Sequence, residues 1–353
     1  MRVGIVGFPQ SGKTTLFIAL SGLAREQLQL AHENLAAVRI PEPRLDWLEK
    51  SYEPKKRTEA NMEFVDLPGS TEGESEHAGL TRHLPTLRQV DALAMLLRAF
   101  ESDAVPAHRG SVDPRRDLSQ LRDEVLLADL EICSNRVEKL EKSVAKPSKD
   151  QEQHKRELAL LLRCREALES EKPLREIVQP GEEEKMIRSF GFLTLKPIVV
   201  VLNVGESEVG RPPAFEAPGA AATFAVCAPL EADLIQMDPK DRPEFMAGWG
   251  IQALARDRIV RACFDALHMI NFLTAGPEEV RAWPIPRGFT AVEAAGKIHT
   301  DLARGFIKAE TVSYEDLVAA GSMRDAKAAG KVRQEPKSYV VQDGDVILFK
   351  HSG

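Results

Sequence analysis

The chain has 353 residues, a length that predicts two or three domains with buried cores. Its composition, 43% hydrophobic and 29% charged, is typical of a globular protein, and its net charge of −7 gives no overall attraction to nucleic acid. No apolar run approaches the roughly 18 residues that a membrane helix needs, and the cysteines form no C-x-x-C pair, which argues against the common zinc sites. A reducing cytoplasm is the expected location.

The strongest signal is GFPQSGKT at residues 7–14, which fits the phosphate-binding pattern G-x-x-x-x-G-K-[ST]. The context also fits, because an apolar run typical of a buried strand precedes it and a helical segment follows. The N–H groups of such a loop point at phosphate oxygens, the side chain of Lys13 neutralises the β- and γ-phosphates, and the hydroxyl of Thr14 ligates Mg²⁺. A chance match to a glycine-rich turn is the weaker alternative. The predicted phosphate-binding residues are Gln10, Ser11, Gly12, Lys13, Thr14 and Thr15.

A second motif lies at residues 61–69, where NMEFVDLPG reads as a short strand that runs into D-x-x-G. Asp66 is predicted to stand behind the waters of Mg²⁺, and Gly69 is predicted to offer its N–H to the γ-phosphate. D-x-x-G alone is a weak signal, but its place about fifty residues after a P-loop favours function over an ordinary turn. Lys13, Asp66 and Gly69 are therefore the predicted catalytic residues, and Thr14 and Asp66 are the predicted metal ligands.

Two features of a hydrolytic switch are missing from this sequence. Residues 22–57 contain no threonine, although the loop after the first helix of such switches usually supplies one that caps Mg²⁺. Ser70 stands where many switches carry a water-orienting glutamine. Residues 70–84 are expected to form a mobile loop, in which His77 and His83 are interpreted as solvated side chains rather than catalysts, although histidine titrates near neutral pH.

The pattern of apolar residues predicts an α/β fold with an insertion. The run at residues 91–100 predicts a strand that is buried on both faces. Residues 114–189 contain two stretches with helical apolar spacing, separated by Pro147, and they predict an antiparallel helical hairpin. The nucleotide-binding domain is accordingly assigned to residues 1–113 and 190–270, with strands at 196–203 and 223–228 and a helix at 251–270.

The sequence NVGE at residues 203–206 follows a predicted strand, at the edge where open α/β sheets bind ligands. Guanine-specific switches carry N-K-x-D at this point, so the lack of both the lysine and the aspartate weakens the case for GTP. The amide of Asn203 either orients the loop or contacts a purine.

Residues 271–353 are predicted to form a separate module. Strands are expected at residues 280–283 and 306–312 with a helix at 291–299 between them, and paired strands are expected at 339–341 and 346–349 around the turn signal QDGD. This order suggests an α+β roll with a helix packed on one sheet. Basic and acidic residues are equal in number here, so charge does not mark the module as an RNA binder.

Taken together, these features resemble the YchF/Obg-like ATPase family over essentially the whole chain. The most specific match is FLTAGPEEVRAW at residues 272–283, and PEPRLD at 41–46 and ADLE at 128–131 are also similar to family signatures. The sequences AAGKIHTD at 294–301, GFIKAE at 305–310 and VQDGDV at 341–346 resemble the TGS domain of that family, a β-grasp fold.

The resemblance implies a cytoplasmic TRAFAC-class P-loop NTPase with Mg²⁺ as its cofactor, a TGS-like domain at residues 271–353, and the ribosome or its RNA as partner. The resemblance also implies that the N-x-x-E sequence gives a preference for ATP over GTP, with Asn203, Val204 and Glu206 lining the base site. The expected activity is slow ATP hydrolysis by a molecular switch, with no membrane partner and no recognition of DNA sequence.

Three departures from the family pattern keep a second interpretation open. Gln10 and Ser11 replace the usual Asn-Val, the switch threonine is missing, and the loop at residues 72–77 is acidic where the family has a lysine. The alternative is a nucleotide-dependent ribosome- or RNA-binding module that does not hydrolyse. A small-molecule P-loop kinase is disfavoured, because no acceptor-binding lid is evident.

Overall fold

The computed structural model describes residues 1–29, 32–68, 78–145 and 150–352. Within them the chain forms two compact units, and both units are discontinuous in sequence. The N-terminal unit comprises residues 1–37 and 63–259, and the C-terminal unit comprises residues 38–62 and 260–353. No helix in the described ranges has the length and apolar character needed to cross a membrane.

The described strands are β1 (Arg2–Val6), β2 (Asn34–Arg39), β3 (Lys56–Thr58), β4 (Asn61–Asp66), β5 (Ala92–Ala99), β6 (Ile198–Val204), β7 (Ala222–Val226), β8 (Met269–Ala275), β9 (Glu279–Pro286), β10 (Phe306–Ser313), β11 (Arg333–Glu335) and β12 (Asp345–His351). The described α-helices are α1 (Lys13–Ser21), α2 (Arg44–Tyr52), α3 (Ala78–Thr81), α4 (Leu84–Gln89), α5 (Pro114–Val144), α6 (Gln151–Glu169), α7 (Glu182–Ile187), α8 (Ala228–Gln236), α9 (Arg242–Gly248), α10 (Ala255–Ala266), α11 (Ala291–Ile298), α12 (Thr300–Arg304), α13 (Tyr314–Ala320) and α14 (Met323–Ala328).

The sheet of the N-terminal unit has the strand order β2–β4–β1–β5–β6–β7, and β4, β1, β5, β6 and β7 run parallel. Every residue of β6 and all but the last of β5 are buried, as the apolar runs predicted for strands covered on both faces. In a parallel sheet the carboxyl ends of all strands lie at one edge, and this edge receives the P-loop after β1, Asp66 at the end of β4 and Asn203 near the end of β6.

The predicted helical hairpin is confirmed by α5 and α6. Helix α5 begins after Asp113, whose carboxylate accepts hydrogen bonds from the backbone N–H groups of Arg115 and Arg116, with Pro114 at the first helical position. The two helices share an apolar core that includes Cys133, Val137, Leu140, Leu160, Leu161, Cys164 and Leu168. Pro147, which was expected to separate them, lies outside the described residues.

The C-terminal unit contains a second six-stranded sheet, with the order β11–β10–β12–β8–β9–β3. Helix α11 packs on one face, where Ala291 and Ala294 join a core with Phe272. On the other face, Leu45 and Leu48 of α2 join a core shared with Leu273, Val280, Ala282, Val312, Leu317, Ala326 and Val346. Because β3 pairs with β9, residues 38–62 complete this unit, which differs from the predicted assignment of residues 1–113 to one domain.

One predicted strand pair in this unit is wrong. Residues 339–341 do not pair with β12; instead, the N–H of Val341 donates to the carbonyl of Phe289, and the N–H of Ala291 donates to the carbonyl of Tyr339. Strand β12 pairs with β10 and β8, so its ladder hydrogen bonds go to strands far away in sequence. The predicted helix at 251–270 also ends earlier, because β8 begins at Met269.

Candidate functional site

The loop that joins β1 to α1 has the backbone geometry of a phosphate cradle. A Cβ added to Gly7 would lie 2.5 Å from the carbonyl oxygen of Leu96, so only glycine fits there. Gly12 has φ = 97°, and a Cβ at this position would overlap the side-chain nitrogen of Asn203. Helix α1 begins directly afterwards, so the N–H groups of its first turn, which includes Thr15, have no acceptor within the helix.

Gln10 is the most exposed residue of the loop, and its φ of 62° is unusual for a residue with a side chain. Ser11 is buried, and its hydroxyl has no hydrogen-bond partner among the described residues. The backbone carbonyl of Ser11 accepts a hydrogen bond from the side chain of Asn203. Asn203 of β6 thus holds the backbone of the loop, while the Ser11 hydroxyl within the loop has no hydrogen bond to the described residues.

The ammonium group of Lys13 lies inside the loop. It donates hydrogen bonds to the carbonyl oxygens of Gly7 and Phe8 at 2.9 and 3.0 Å. Burial lowers the pKa of Lys13 to about 8, the carboxylate of Asp66 partly opposes that effect, and the guanidinium of Arg82 adds to it. A cation that is held in a desolvated loop by carbonyl groups is suited to pair with an anion placed there.

Thr14 and Asp66 meet next to the lysine. The Thr14 hydroxyl donates to Asp66 Oδ2 at 3.0 Å, which brings the two predicted metal ligands together. Asp66 is 2% exposed, burial raises its pKa, and its Oδ1 has no hydrogen-bond partner among the described residues. A hydroxyl and a carboxylate with a buried unpaired oxygen fit a hard cation such as Mg²⁺ or its bound waters. The other predicted residue of this motif, Gly69, lies outside the described residues, as do Ser70 and His77.

Asn203 links the P-loop to the following part of the sheet edge. Its Nδ2 donates to the carbonyl of Ser11 at 3.0 Å, and its Oδ1 accepts from the N–H of Ala228 at 3.0 Å. Both polar atoms of this amide are thus bonded to the backbone, and they join the P-loop to the start of α8. Val204 is buried, while Glu206 is exposed at the start of the next turn. The three predicted base-site residues thus lie within one four-residue stretch, and only Glu206 presents its side chain to solvent.

The structure contradicts the expectation that His83 is a solvated loop residue. His83 is only 9% exposed, and its Nε2 lies 3.1 Å from the carbonyl of Pro68, in the D-x-x-G motif. Burial lowers the pKa of His83. Sequence reasoning missed this because the loop around His83 is polar, whereas the burial results from the position of α4.

A second residue near the P-loop, His108, carried no functional prediction. Its ring stacks on that of Phe8 with centroids 3.9 Å apart and planes within 7°. The preceding segment is fixed by the buried Arg98, which donates to the carbonyls of Phe100, Val105 and Pro106. The sequence did hold an indication that this segment lies near a ligand, because it follows the carboxyl end of β5, where open sheets bind ligands.

No group of three or more potential metal-ligating side chains occurs in the part of the chain that the structure describes. A divalent ion at this site would therefore be held chiefly by a nucleotide and by Thr14 and Asp66, rather than by a protein cage. That is the usual situation for Mg²⁺ with phosphate ligands.

Comparisons with known proteins agree with this geometry. The family model MMR_HSR1, described as a 50S ribosome-binding GTPase, matches residues 2–130. The family model YchF-GTPase_C, described as a protein of unknown function, matches residues 269–352. Two "Ribosome-binding ATPase YchF" proteins are 39% identical (Bacillus subtilis) and 38% identical (Escherichia coli O157:H7), each over 99% of this chain and 98–99% of the relative. This chain belongs to the YchF family.

Other YchF-family relatives support the assignment. "Obg-like ATPase 1" of Oryza sativa is 37% identical over 99% of this chain and 92% of the relative. A solved structure, "Structure of the Schizosaccharomyces pombe YchF GTPase", superposes with a TM-score of 0.86 and 31% identity, and it covers 99% of this chain and 97% of that one. The predicted family and the predicted fold class, a P-loop G domain followed by a C-terminal domain, are thereby confirmed.

Proposed function

We propose that this YchF-family chain binds Mg·ATP and hydrolyses it slowly, as a molecular switch that associates with the ribosome in the cytoplasm. One observation carries the proposal. The Lys13 ammonium lies within the glycine cradle, and directly beside it the Thr14 hydroxyl bonds to the buried Asp66 carboxylate. This is the arrangement of charges that a nucleotide with its Mg²⁺ requires. The names of the relatives, ribosome-binding ATPases, support the same activity and partner.

In this proposal the protein acts by positioning and charge neutralisation. The N–H groups at the start of α1 and the Lys13 ammonium bind the β- and γ-phosphates and stabilise the charge that develops on them during transfer. Thr14 and Asp66 hold the magnesium site, and bound Mg²⁺ supplies further positive charge to the phosphate oxygens. Gly69, assigned here from its motif, presents an N–H to the γ-phosphate.

Glu206 is proposed to favour adenine over guanine. Its exposed side chain belongs to the N-x-x-E sequence, and the longer acid cannot reproduce the two hydrogen bonds that a shorter Asp makes to guanine. Asn203 and Val204 support this loop rather than read the base. Residues 271–353 are proposed to be a TGS-like β-grasp domain, on the basis of the sequence resemblance.

The first experiment measures nucleotide binding by calorimetry with Mg·ATP and Mg·GTP. We expect tighter binding of ATP, and loss of binding in Lys13→Ala. Lys240→Ala, which removes an exposed lysine of the same unit, is the control and should bind normally. Retained ATP binding in Lys13→Ala would contradict the assigned site, and a clear preference for GTP would contradict the role of Glu206.

The second experiment separates hydrolysis from mere binding. A single-turnover assay with labelled ATP, with and without ribosomes, should release phosphate slowly and faster when ribosomes are present. Co-sedimentation in each nucleotide state tests the partner directly. Binding without phosphate release in either condition would instead support a non-hydrolysing nucleotide-dependent module.

A further inference from the structure

A cavity of about 280 Å³ lies within the N-terminal unit, at the base of the helical hairpin. It is lined by α5, by the segment that follows α6, by the loop before β7 and by Ile198, the first residue of β6. None of the described P-loop residues lines it. The cavity is therefore separate from the proposed nucleotide site, which lies at the carboxyl ends of the strands. Its volume is at the small end of the range for ligand pockets.

The floor of the cavity is apolar. It is formed by the buried side chains of Met95, Val125 and Ile198, and Leu126 and Pro173 also line it. A hydrocarbon group placed on this floor is removed from water, which stabilises its binding. The floor therefore favours a ligand that has a short apolar part.

Two arginines form the polar wall of the cavity, Arg122 of α5 and Arg175 beyond the end of α6. Arg122 Nη2 donates to the carbonyl oxygen of Pro218 at 2.7 Å, and Arg175 Nη2 donates to that of Gly219 at 2.7 Å. Arg175 Nη1 also lies 3.5 Å from the carbonyl oxygen of Lys196. A guanidinium has five N–H donors, so each side chain keeps donors that bond to none of the described residues.

These two guanidiniums lie close enough to repel each other. Burial lowers the pKa of Arg122, and the charge of Arg175 lowers it further. Burial also lowers the pKa of Arg175, and the carboxylate of Glu176 partly opposes that effect. Within the described part of the chain, neither guanidinium forms an ion pair with a carboxylate; each is held by backbone carbonyls instead. An anion bound between them would relieve this repulsion.

The acidic side chains at the cavity limit the charge of the ligand. Glu171 and Glu176 also line the cavity, and both are exposed. Water therefore screens their charges more than it screens those of the half-buried arginines. They still disfavour a highly charged ligand such as a phosphate dianion, which leaves a monoanion as the better fit.

We propose that this cavity binds a small carboxylate that carries a hydrocarbon tail, with the carboxylate on Arg122 and Arg175 and the tail on the apolar floor. A planar guanidinium matches the two oxygens of a carboxylate. Because Arg122 lies in α5 and Arg175 lies beyond α6, the ligand connects the two ends of the hairpin. This site goes beyond the proposed nucleotide-binding function and does not depend on it.

The test compares the Kd values of the intact protein for hexanoate, hexanol and hexylamine, measured by ligand-observed NMR. These probes share a hydrocarbon chain and differ in charge. Hexanoate should bind about tenfold more tightly than either of the others, the equivalent of one charge-assisted hydrogen bond. Equal binding of hexanoate and hexylamine would overturn the proposal, because the carboxylates of Glu171 and Glu176 would then dominate. Absence of hexanoate binding would overturn it as well.

Variants locate the bound anion. Arg122→Met and Arg175→Met should each weaken hexanoate binding about tenfold and leave the Kd for hexanol unchanged. Hexanol thereby shows that the floor of each variant is intact, and either variant suffices if the other does not fold. Arg25→Met, which removes an exposed arginine of the same unit, is the matched control and should bind hexanoate normally.

Lys13→Ala distinguishes this cavity from the P-loop. Hexanoate should bind to Lys13→Ala as it binds to the wild type, because the P-loop lies outside the cavity. Loss of hexanoate binding in Lys13→Ala, or wild-type hexanoate binding in a folded Arg122→Met or Arg175→Met variant, would contradict the assigned site. Neither result would affect the proposed nucleotide binding, which is measured separately with Mg·ATP.

Discussion

At the scale of single residues, Gln10 is strained within the phosphate-binding loop. Its φ of 62° lies in the left-handed region, which costs a residue other than glycine or asparagine roughly 1–2 kcal/mol. Asparagine tolerates this region better because its short side chain bonds locally to the backbone. We expect Gln10→Asn to raise the free energy of unfolding by about 0.5–1 kcal/mol, measured by urea denaturation. Gln10→Val should lower it, and equal stability of the two variants would contradict the argument.

Glu231 gives the N-terminal unit a stability that depends on pH. The side chain is 7% exposed, its Oε2 accepts from the N–H of Ala255 at 3.0 Å, and burial raises its pKa to about 7. The folded state therefore holds this proton more tightly than the unfolded state does. The free energy of unfolding should fall as the pH rises from about 4.5 to about 7 and should then level off. At about 1.36 kcal/mol per pKa unit, the total loss is up to about 3 kcal/mol.

Glu231→Gln is the matching variant, because it keeps an oxygen acceptor for Ala255 and removes the titration. Chemical denaturation at a series of pH values should show a flatter stability profile for this variant than for the wild type. If the two profiles between pH 4.5 and 7 have the same slope, Glu231 is not the group responsible.

The phosphate-binding residues could be predicted at this scale because the motif fixes both residue type and backbone path. Gly7 and Gly12 shape a single turn, and Lys13 and Thr14 directly follow Gly12, so the whole motif can be recognised within eight residues of sequence. The burial of His83 could not be predicted, because it depends on tertiary packing. The position of His108 after β5 placed its segment near the ligand-binding edge of the sheet, but not its ring against Phe8. Their neighbours Pro68 and Phe8 are identified only in three dimensions.

At the scale of elements, α4 is joined to the base of the helical hairpin. Asp129 of α5 is fully buried and accepts hydrogen bonds from the N–H groups of Leu193 and Thr194 and from the Thr194 hydroxyl. The guanidinium of Arg88 in α4 donates to the same carboxylate. Lys196 donates to the carbonyls of Leu87, Arg88 and Val90 at the end of α4. The helix that follows the D-x-x-G loop is thereby fixed to the inserted hairpin.

Asp129→Asn tests this connection. An amide cannot accept from all of these donors, and Arg88 loses its buried counter-charge, so we expect a loss of about 3 kcal/mol in the free energy of unfolding. Hydrogen exchange of the α4 amides should accelerate as well. The control is Glu152→Gln, which breaks the exposed Lys155–Glu152 ion pair within α6 and should change the free energy of unfolding very little. Equal losses in the two variants would contradict the buried role of Asp129.

The hairpin and the central strands could be predicted because their periodicity is local. The strand pair predicted for residues 339–341 was wrong for a physical reason. A turn signal between two β-prone runs predicts a hairpin, but the carbonyl of Tyr339 accepts from the N–H of Ala291, and the N–H of Val341 donates to the carbonyl of Phe289. Tertiary partners thus override local propensity. Strand β3 is only three residues long, and its pairing with β9 has no local signal.

At the scale of the whole molecule, the C-terminal unit depends on a segment from the N-terminal part of the sequence. Arg44 pairs with Glu42 and Asp343, and the Nδ2 of Asn271 donates to the same Glu42 carboxylate, which is 3% exposed. The apolar residues of α2 and the pairing of β3 add to this connection. Sequence alone suggested a domain boundary near residue 270, because a predicted helix ends there and a new pattern of strands begins. A compact unit, however, requires a closed core, and here a segment from elsewhere in the chain closes it.

This organisation predicts that residues 260–353 alone cannot fold, because one face of their sheet loses Leu45 and Leu48 and Asp343 loses its charge partner Arg44. Cooperative thermal unfolding, followed by circular dichroism, should be absent from the fragment and should return when a synthetic peptide of residues 38–62 is added in excess. The same peptide with Leu48→Asp is the control and should not restore folding, because a carboxylate would be buried without a partner. Cooperative unfolding of the fragment without any peptide would show that residues 260–353 suffice for a stable core.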